Sequence, residues 1–60
     1  MKRREVIKLL EDAGLRYLRP GGNHDLYWKP GIKQPVPVGR HRELTNFEVA
    51  RILKEAGINQ

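Results

Sequence analysis

A histidine that follows a pair of glycines is the residue best suited to chemistry in this sequence. Gly21 and Gly22 precede Asn23 and His24, and a short strand-like segment comes next. Imidazole has an ordinary pKa of about 6.5, so near neutrality it can accept or donate a proton, and a positioned acid or base contributes roughly 10²- to 10⁴-fold to a rate. Glycine can adopt positive φ, which lets a ligand approach the backbone closely. His24 is therefore the candidate general acid or base, and Gly22 and Asn23 form the turn that supports it.

The residue types around His24 leave a structural role open. A single loop histidine more often bonds a nearby backbone group than takes part in catalysis. Asp25 follows directly, but neighbouring residues of a strand point to opposite faces, so the pair is not predicted to form a dyad. The second histidine, His41, lies between Arg40 and Arg42 and is predicted to be a solvated residue of a basic loop, with contact to phosphate as the alternative.

Length and composition exclude several classes of protein. The chain has 60 residues and no cysteine, which rules out a disulfide framework and a thiolate nucleophile. Two separated histidines without paired carboxylates are not a transition-metal signature, so neither a metal nor a small-molecule cofactor is expected. No stretch approaches the roughly 18 to 20 apolar residues of a membrane span. We expect one domain over residues 1–60 of a cytoplasmic protein without membrane contact.

The charge balance favours a polyanionic partner. Twelve Lys and Arg residues stand against seven Asp and Glu, a formal net charge of +5. Residues 1–42 hold ten of the basic and four of the acidic residues, so the positive field belongs to that part of the chain. Nucleic acid is the leading partner class, and a merely solubilising cationic surface is the alternative.

Two amphipathic helices are predicted at the two ends of the chain. The first, over residues 3–13, has an apolar stripe and ends at Gly14 and Leu15, a typical C-terminal cap. The second begins at Thr45, which forms a capping box with Glu48, and ends at Gly57. The stripe of the first helix consists of Val6, Ile7, Leu10 and Ala13.

Three short segments between the helices have strand character. They cover residues 15–19, 24–29 and 33–38, and the short glycine- and proline-containing connections predict an antiparallel meander. Pro35 and Pro37 cannot donate to a ladder, which places the third strand at an edge. The prediction is an α+β fold of order α-β-β-β-α with both helices on one face of the sheet. Strand alternation puts Tyr27 and Trp28 on opposite faces; Trp28 is predicted to pack against the helices and Tyr27 to face outward.

Five elements in this order resemble the HicA toxin family, over residues 2–58. They are Ala13-Gly14-Leu15, Gly22-Asn23-His24, the Val36-Pro37-Val38 strand, Glu43-Leu44 before the second helix, and the ending Ile52-Leu53-Lys54-Glu55-Ala56-Gly57-Ile58. The family often has Gly-Ser-His-His where this chain has Gly22, Asn23, His24 and Asp25. The resemblance assigns catalysis to His24 and leaves the contribution of a second histidine in question.

The resemblance implies a small double-stranded-RNA-binding-type domain that acts as an mRNA interferase. Such a toxin would be a metal-independent endoribonuclease, with RNA as substrate and a HicB-like antitoxin protein as partner. A non-catalytic RNA-binding module and a protein-interaction domain for an acidic antitoxin are the alternatives. Arg3, Arg4 and Lys8 could contact phosphate, although charged flanks of surface helices are usually solvated. The predicted RNA-binding residues are Arg16, Arg19, Tyr27, Lys29, Arg40 and Arg42.

Overall fold

The computed structural model describes residues 1–59 and has the element order that the sequence predicts. The elements are α1 (Arg3–Asp12), β1 (Arg16–Gly21), β2 (His24–Trp28), β3 (Val36–Gly39) and α2 (Asn46–Glu55). The three strands form one antiparallel sheet of order β1-β2-β3. The predicted α+β fold is confirmed. None of the helices in residues 1–59 is long and apolar enough to cross a membrane.

Proline positions agree with the order of the strands. Pro37 lies in β3 opposite Leu26, and β3 is an edge strand, as predicted. β1 is the other edge strand and runs through Pro20 to Gly21, beyond its predicted end at Arg19. Proline is tolerated there because one side of an edge strand has no ladder partner. The register of β1 shifts between Tyr17 and Arg19, so Leu18 is an extra residue at a bulge.

Both helices end by the same hydrogen-bonded motif. At the end of α1, the Leu15 N–H donates to the carbonyl of Leu10 and the Gly14 N–H to that of Glu11. At the end of α2, Ile58 and Gly57 repeat the pattern with Leu53 and Lys54. Gly14 has φ 97° and Gly57 has φ 75°, the left-handed conformation that this cap requires. The sequence prediction of both helix ends is confirmed.

The core lies between the two helices and one face of the sheet. Its helical members include Leu10 of α1 and Ile52 of α2, each fully buried. The sheet contributes Tyr27, Val36 and Val38. Tyr27 pairs with Val36, and Val36 and Val38 lie two residues apart in β3, so all three side chains project from one face of the sheet. We call this the helix face; the opposite face is named the open face.

The segment before α1 pairs with the segment before α2. Lys2 forms an isolated antiparallel bridge with Glu43. The Leu44 N–H donates to the carbonyl of Met1 at 2.9 Å, and the Arg3 N–H donates to that of Arg42 at 2.8 Å. This pairing holds the basic start of α1 against the loop that follows β3.

Replacing Thr45 by alanine is expected to lower the free energy of unfolding at pH 7 by about 1 kcal/mol, because the N-terminal cap of α2 is lost. The Thr45 Oγ1 accepts from the Glu48 N–H at 3.1 Å and donates to the Glu48 carboxylate. Thr45→Ser keeps the hydroxyl and is the control. Thermal unfolding followed by circular dichroism measures both variants.

The same cap predicts a pH dependence. Hydrogen bonds from the Thr45 backbone and then its side chain lower the pKa of Glu48. A lowered folded-state pKa stabilises the protein above the pKa of the unfolded chain, and this stabilisation is lost as the pH falls through the folded-state value. The difference between Thr45→Ala and wild type should therefore shrink on acidification. A difference that grows at low pH would contradict this role of the Glu48 carboxylate.

Candidate active site

The turn before His24 is a two-residue hairpin loop formed by Gly22 and Asn23. Gly21 and His24 pair across its base, so β2 begins at the histidine. Gly22 has φ 66°, whereas no non-glycine residue in the described chain has positive φ. Glycine at the first loop position with positive φ is typical of a type II′ turn, whose twist matches that of the flanking strands. The Gly-x-His spacing thus has a local cause: the glycine closes the hairpin and the histidine starts the next strand.

The His24 side chain lies in solvent at the end of β2. It is exposed, and its imidazole forms no hydrogen bond with any residue in 1–59. The backbone carbonyl of His24 accepts a hydrogen bond of 3.2 Å from Arg40 Nη2. The structure therefore does not contain the alternative, an imidazole that bonds a nearby backbone group. The ring is available to a ligand, and its backbone is held by an arginine.

Asp25 projects from the helix face, opposite to His24, as strand alternation predicts. Its carboxylate accepts from Arg3 Nη2 at 2.8 Å and from Arg40 at 3.1 Å (Nε) and 3.0 Å (Nη2). Arg3 Nε also donates to the carbonyl of Gly39 at 2.7 Å. The carboxylate is 22% exposed, so these ion pairs are partly shielded from water. Arg3, Asp25 and Arg40 together form a bridge, which we call the Arg-Asp-Arg bridge, from α1 across the first residues of β2 to the end of β3.

A shallow depression beside this bridge is lined almost entirely by cations. Five basic side chains and one carboxylate surround it, and no apolar side chain lines it. We call it the basic depression. It contains Arg40 and Arg42, which the sequence analysis predicts to bind RNA. Its lining residues are Lys2, Arg3, Arg4, Arg40, Arg42 and Glu43.

Two of the predicted RNA-binding cations, Arg16 and Lys29, cap the C-terminal end of α1. Arg16 Nη1 donates to the carbonyls of Glu11 and Leu15 at 3.0 and 2.8 Å. Lys29 Nζ donates to the carbonyl of Ala13 at 2.9 Å. Cations at this position satisfy the last carbonyls of a helix and interact favourably with its dipole. The basic depression lies at the opposite end of the ten-residue α1, about 15 Å away along the helix axis.

The predicted orientations of the β2 aromatic residues are wrong. Tyr27 is 7% exposed and belongs to the core, where its ring meets Tyr17 edge-on at a centroid distance of 5.9 Å. Burial raises the pKa of the Tyr27 hydroxyl, and nearby Arg3 partly opposes this effect. Trp28 lies on the open face, and its Nε1 donates to the carbonyl of Ile32 at 3.1 Å. A base cannot stack on a buried ring, so Tyr27 is removed from the predicted RNA-binding set.

Arg19, the remaining predicted cation, lies on the open face of the sheet, on the same side as His24. Arg19 pairs with Leu26, which lies two residues from both His24 and Trp28 on one face of β2. The Arg19 side chain is exposed and forms no hydrogen bond within residues 1–59. Gly21 also lies on this face, and a Cβ at that position would come within 3.0 Å of the Leu26 side chain. The glycine therefore leaves room for Leu26 beside the hairpin.

The sequence does not indicate that the basic start of α1 and the basic loop after β3 share one surface. Lys2, Arg3 and Arg4 form a charge run that is usually solvated, whereas the structure places it beside Arg40 and Arg42. The basic run is visible in the sequence, but the segment that it pairs with, around Glu43, lies about forty residues away in the chain. Long-range contacts, among them the pairing of Lys2 with Glu43, bring the two basic segments together.

Comparison with known proteins gives one finding that covers almost the whole chain. The family model described as "HicA toxin of bacterial toxin-antitoxin" matches residues 3–58. No curated protein and no solved structure matches the chain. The matched range includes every helix and strand, the glycine turn and His24. This chain therefore belongs to the HicA family, the toxin component of bacterial toxin-antitoxin pairs.

Proposed function

We propose that this toxin is a metal-independent endoribonuclease that uses His24 as its general acid or base. The observation that carries the proposal is the position of His24. Its imidazole is exposed and forms no hydrogen bond within residues 1–59, and Arg40 links its backbone to the basic depression. The backbone of the candidate proton-transfer residue is thus joined through Arg40 to a surface suited to a polyanion. Membership of a toxin family supports an activity that is harmful to the cell.

RNA supplies its own nucleophile for this reaction. The ribose 2′-hydroxyl attacks the adjacent phosphorus, a P–O2′ bond forms and the P–O5′ bond breaks. One proton leaves the 2′-hydroxyl and another is delivered to the 5′-oxygen of the departing strand. His24 performs one of these transfers as base or acid, and the products carry a 2′,3′-cyclic phosphate and a 5′-hydroxyl. No step in this scheme requires a metal-bound nucleophile.

The transition state also needs positive charge near the phosphorus. Arg40 is a cation fixed relative to the His24 backbone, because its Nη2 donates to both the His24 carbonyl and the Asp25 carboxylate. Its side chain is 49% exposed, and its Nη1 forms no hydrogen bond within residues 1–59. A guanidinium held in place can stabilise the charge that develops on the phosphorane oxygens. We assign this role to Arg40.

The partner in the proposal is a HicB-like antitoxin protein. Family membership implies that this toxin is paired with an antitoxin. An antitoxin that neutralises the proposed reaction must keep RNA from His24, either by covering the ring or by occupying the cationic surface beside it. Co-expression of a HicB-like antitoxin should restore growth to cells that produce the toxin.

The reaction products test the proposal directly. The purified toxin is incubated in excess EDTA with an RNA that it cleaves and with the same RNA carrying a single 2′-deoxy residue at the cleavage site. Cleavage should persist in EDTA and yield 2′,3′-cyclic phosphate ends, and the deoxy substitution should abolish it at that position. Products with 5′-phosphate ends, or loss of cleavage in EDTA, would overturn the proposed chemistry. Binding without any cleavage would favour the non-catalytic RNA-binding module, whose basic depression would be the same.

A further inference from the structure

We propose that the basic depression is a phosphate-binding subsite, which holds the RNA backbone next to the bond that is cut. This inference rests on the proposed function for its substrate. It assigns binding to three side chains that have no role in the chemistry at His24: Lys2, Arg4 and Arg42.

The cations of the depression divide into two groups. Arg3 and Arg40 are engaged with the Asp25 carboxylate at 2.8 and 3.0 Å. Lys2, Arg4 and Arg42 are exposed, and their side chains form no hydrogen bond or ion pair within residues 1–59. Arg3 and Arg40 are therefore held in place by Asp25, and the other three cations are available to a ligand.

The chemistry of the lining selects phosphate as the ligand. All six lining residues are charged, and five of them are basic. No apolar residue among residues 1–59 lines the depression, whereas protein interfaces have a core of apolar residues inside a polar rim. Guanidinium groups bind phosphate oxygens through pairs of parallel N–H···O bonds, and lysine adds a point charge. An RNA backbone fits this surface better than a peptide does.

The location selects a phosphate that neighbours the scissile one. Arg40 lines the depression, and its Nη2 lies 3.2 Å from the His24 carbonyl oxygen. An RNA strand that crosses the end of β2 at His24 therefore also passes Arg40. The cationic surface lies on the side of Arg40 that is next to α1. Because every nucleotide of the strand carries a phosphate, more than one phosphate can contact the depression at once. Contacts of this kind fix the register of the strand without reading its sequence.

The test compares two triple variants with the same change in charge. Lys2→Gln, Arg4→Gln and Arg42→Gln together remove the three available cations of the depression. The matched control is Lys8→Gln, Lys33→Gln and Lys54→Gln, which removes three exposed lysines that do not line it. Both sets are built on His24→Ala, so that RNA stays intact, and the affinity for a single-stranded RNA is measured by fluorescence anisotropy at several salt concentrations.

The expected result is a local loss of phosphate contacts. Each contact to a single strand contributes about 0.7 to the slope of log affinity against log salt, so the depression variant should lose about 2 units of slope and the control far less. In toxins that retain His24, the depression variant should raise KM about tenfold and leave kcat within twofold. Equal slopes for the two triple variants would overturn the subsite.

A chemical change in the RNA provides a test without any protein variant. Neutral methylphosphonate groups replace single phosphates on either side of the cleavage site. The wild-type toxin should lose affinity at positions on one side, and the depression variant should be insensitive there. Equal sensitivity of both proteins at every position would overturn the proposal, as would a depression variant that binds RNA normally but escapes the antitoxin.

The two proposals fail in different ways. A toxin that binds RNA with the expected salt slopes but cleaves none would retain the subsite and lose the nuclease assignment. A toxin that cleaves with unchanged KM in the depression variant would retain the nuclease and lose the subsite.

Discussion

Replacing His24 by alanine is expected to reduce the rate of RNA cleavage by roughly 10²- to 10⁴-fold, the contribution of a positioned general acid or base. The free energy of unfolding should change by less than about 0.5 kcal/mol, as for other exposed sites away from structural contacts. The reason is that the imidazole is exposed and forms no hydrogen bond within residues 1–59. Initial cleavage rates and thermal unfolding measure the two effects on the same preparation.

The second histidine provides the matched control. His41 is also exposed and lies between two arginines, so His41→Ala should cleave RNA within about twofold of wild type. Added imidazole should partly restore cleavage to His24→Ala, because it can replace the missing proton-transfer group. A His24→Ala toxin that cleaves at the wild-type rate would show that this residue does not carry the reaction, and a large drop in its unfolding temperature would indicate a structural role instead.

The helices and their ends were predictable because their signals are local. Gly14 and Gly57 each follow an apolar stripe and precede an apolar residue, and both adopt the left-handed cap. Thr45 and Glu48 stand three residues apart and form the capping box. Hydrogen bonds of this kind join residues within one or two turns, so the sequence alone contains the whole motif.

The predicted orientation of β2 was wrong, and the alternation of side chains along a strand already shows the conflict. His24, Leu26 and Trp28 must share a face because strand residues alternate. An exposed His24 and a Trp28 packed against the helices were therefore incompatible expectations. The face that Trp28 shares with Leu26 was predicted to pack against the helices, but the structure buries Tyr27. Asp25 shares the helix face with Tyr27, and its charge is accommodated there because two arginines bind it.

The basic depression was not predictable from spacing because its two halves are far apart in the chain. Arg40 and Arg42 follow β3, and Lys2 and Arg4 begin the first helix. Long-range contacts, among them the pairing of Lys2 with Glu43 and the hydrogen bond from the Arg3 N–H to the Arg42 carbonyl, bring them together. Conversely, Arg16 and Lys29 have the charge of RNA-binding residues but lie where the last carbonyls of α1 need donors. The sequence shows which residues are charged, whereas the structure shows which of them lie together in the basic depression and which cap α1.

Replacing Asp25 by alanine is expected to lower the free energy of unfolding by about 2 kcal/mol. Hydrogen bonds to charged groups contribute about 1.5–3 kcal/mol each, and the exposure of Arg40 reduces its share. In a domain of this size, 1 kcal/mol corresponds to roughly 4–8 °C in Tm, so the midpoint should fall by about 8–16 °C. The substitution removes the acceptor between Arg3 and Arg40, which are then left facing each other.

The same substitution should lower the cleavage rate about tenfold or more, because small displacements of catalytic groups are costly. Arg40 loses the carboxylate that orients it, and its hydrogen bond to the His24 carbonyl weakens as a result. Asp25 is thus proposed as a positioning residue, which acts through Arg40. The pH dependence of the remaining activity should keep its wild-type shape, since His24, the proposed proton-transfer residue, is unchanged.

Two further substitutions separate this role from a direct part in the chemistry. Asp12 forms an exposed ion pair with Lys8 at 3.7 Å, so Asp12→Ala should change stability by less than about 0.5 kcal/mol and leave cleavage unchanged. Asp25→His restores the second histidine that often follows the first in this family, but its ring would lie on the helix face between two arginines. We expect it to destabilise the fold as alanine does and to give no gain in cleavage. A faster Asp25→His toxin, or an Asp25→Ala toxin that melts and cleaves like wild type, would show that the Arg-Asp-Arg bridge does not position His24.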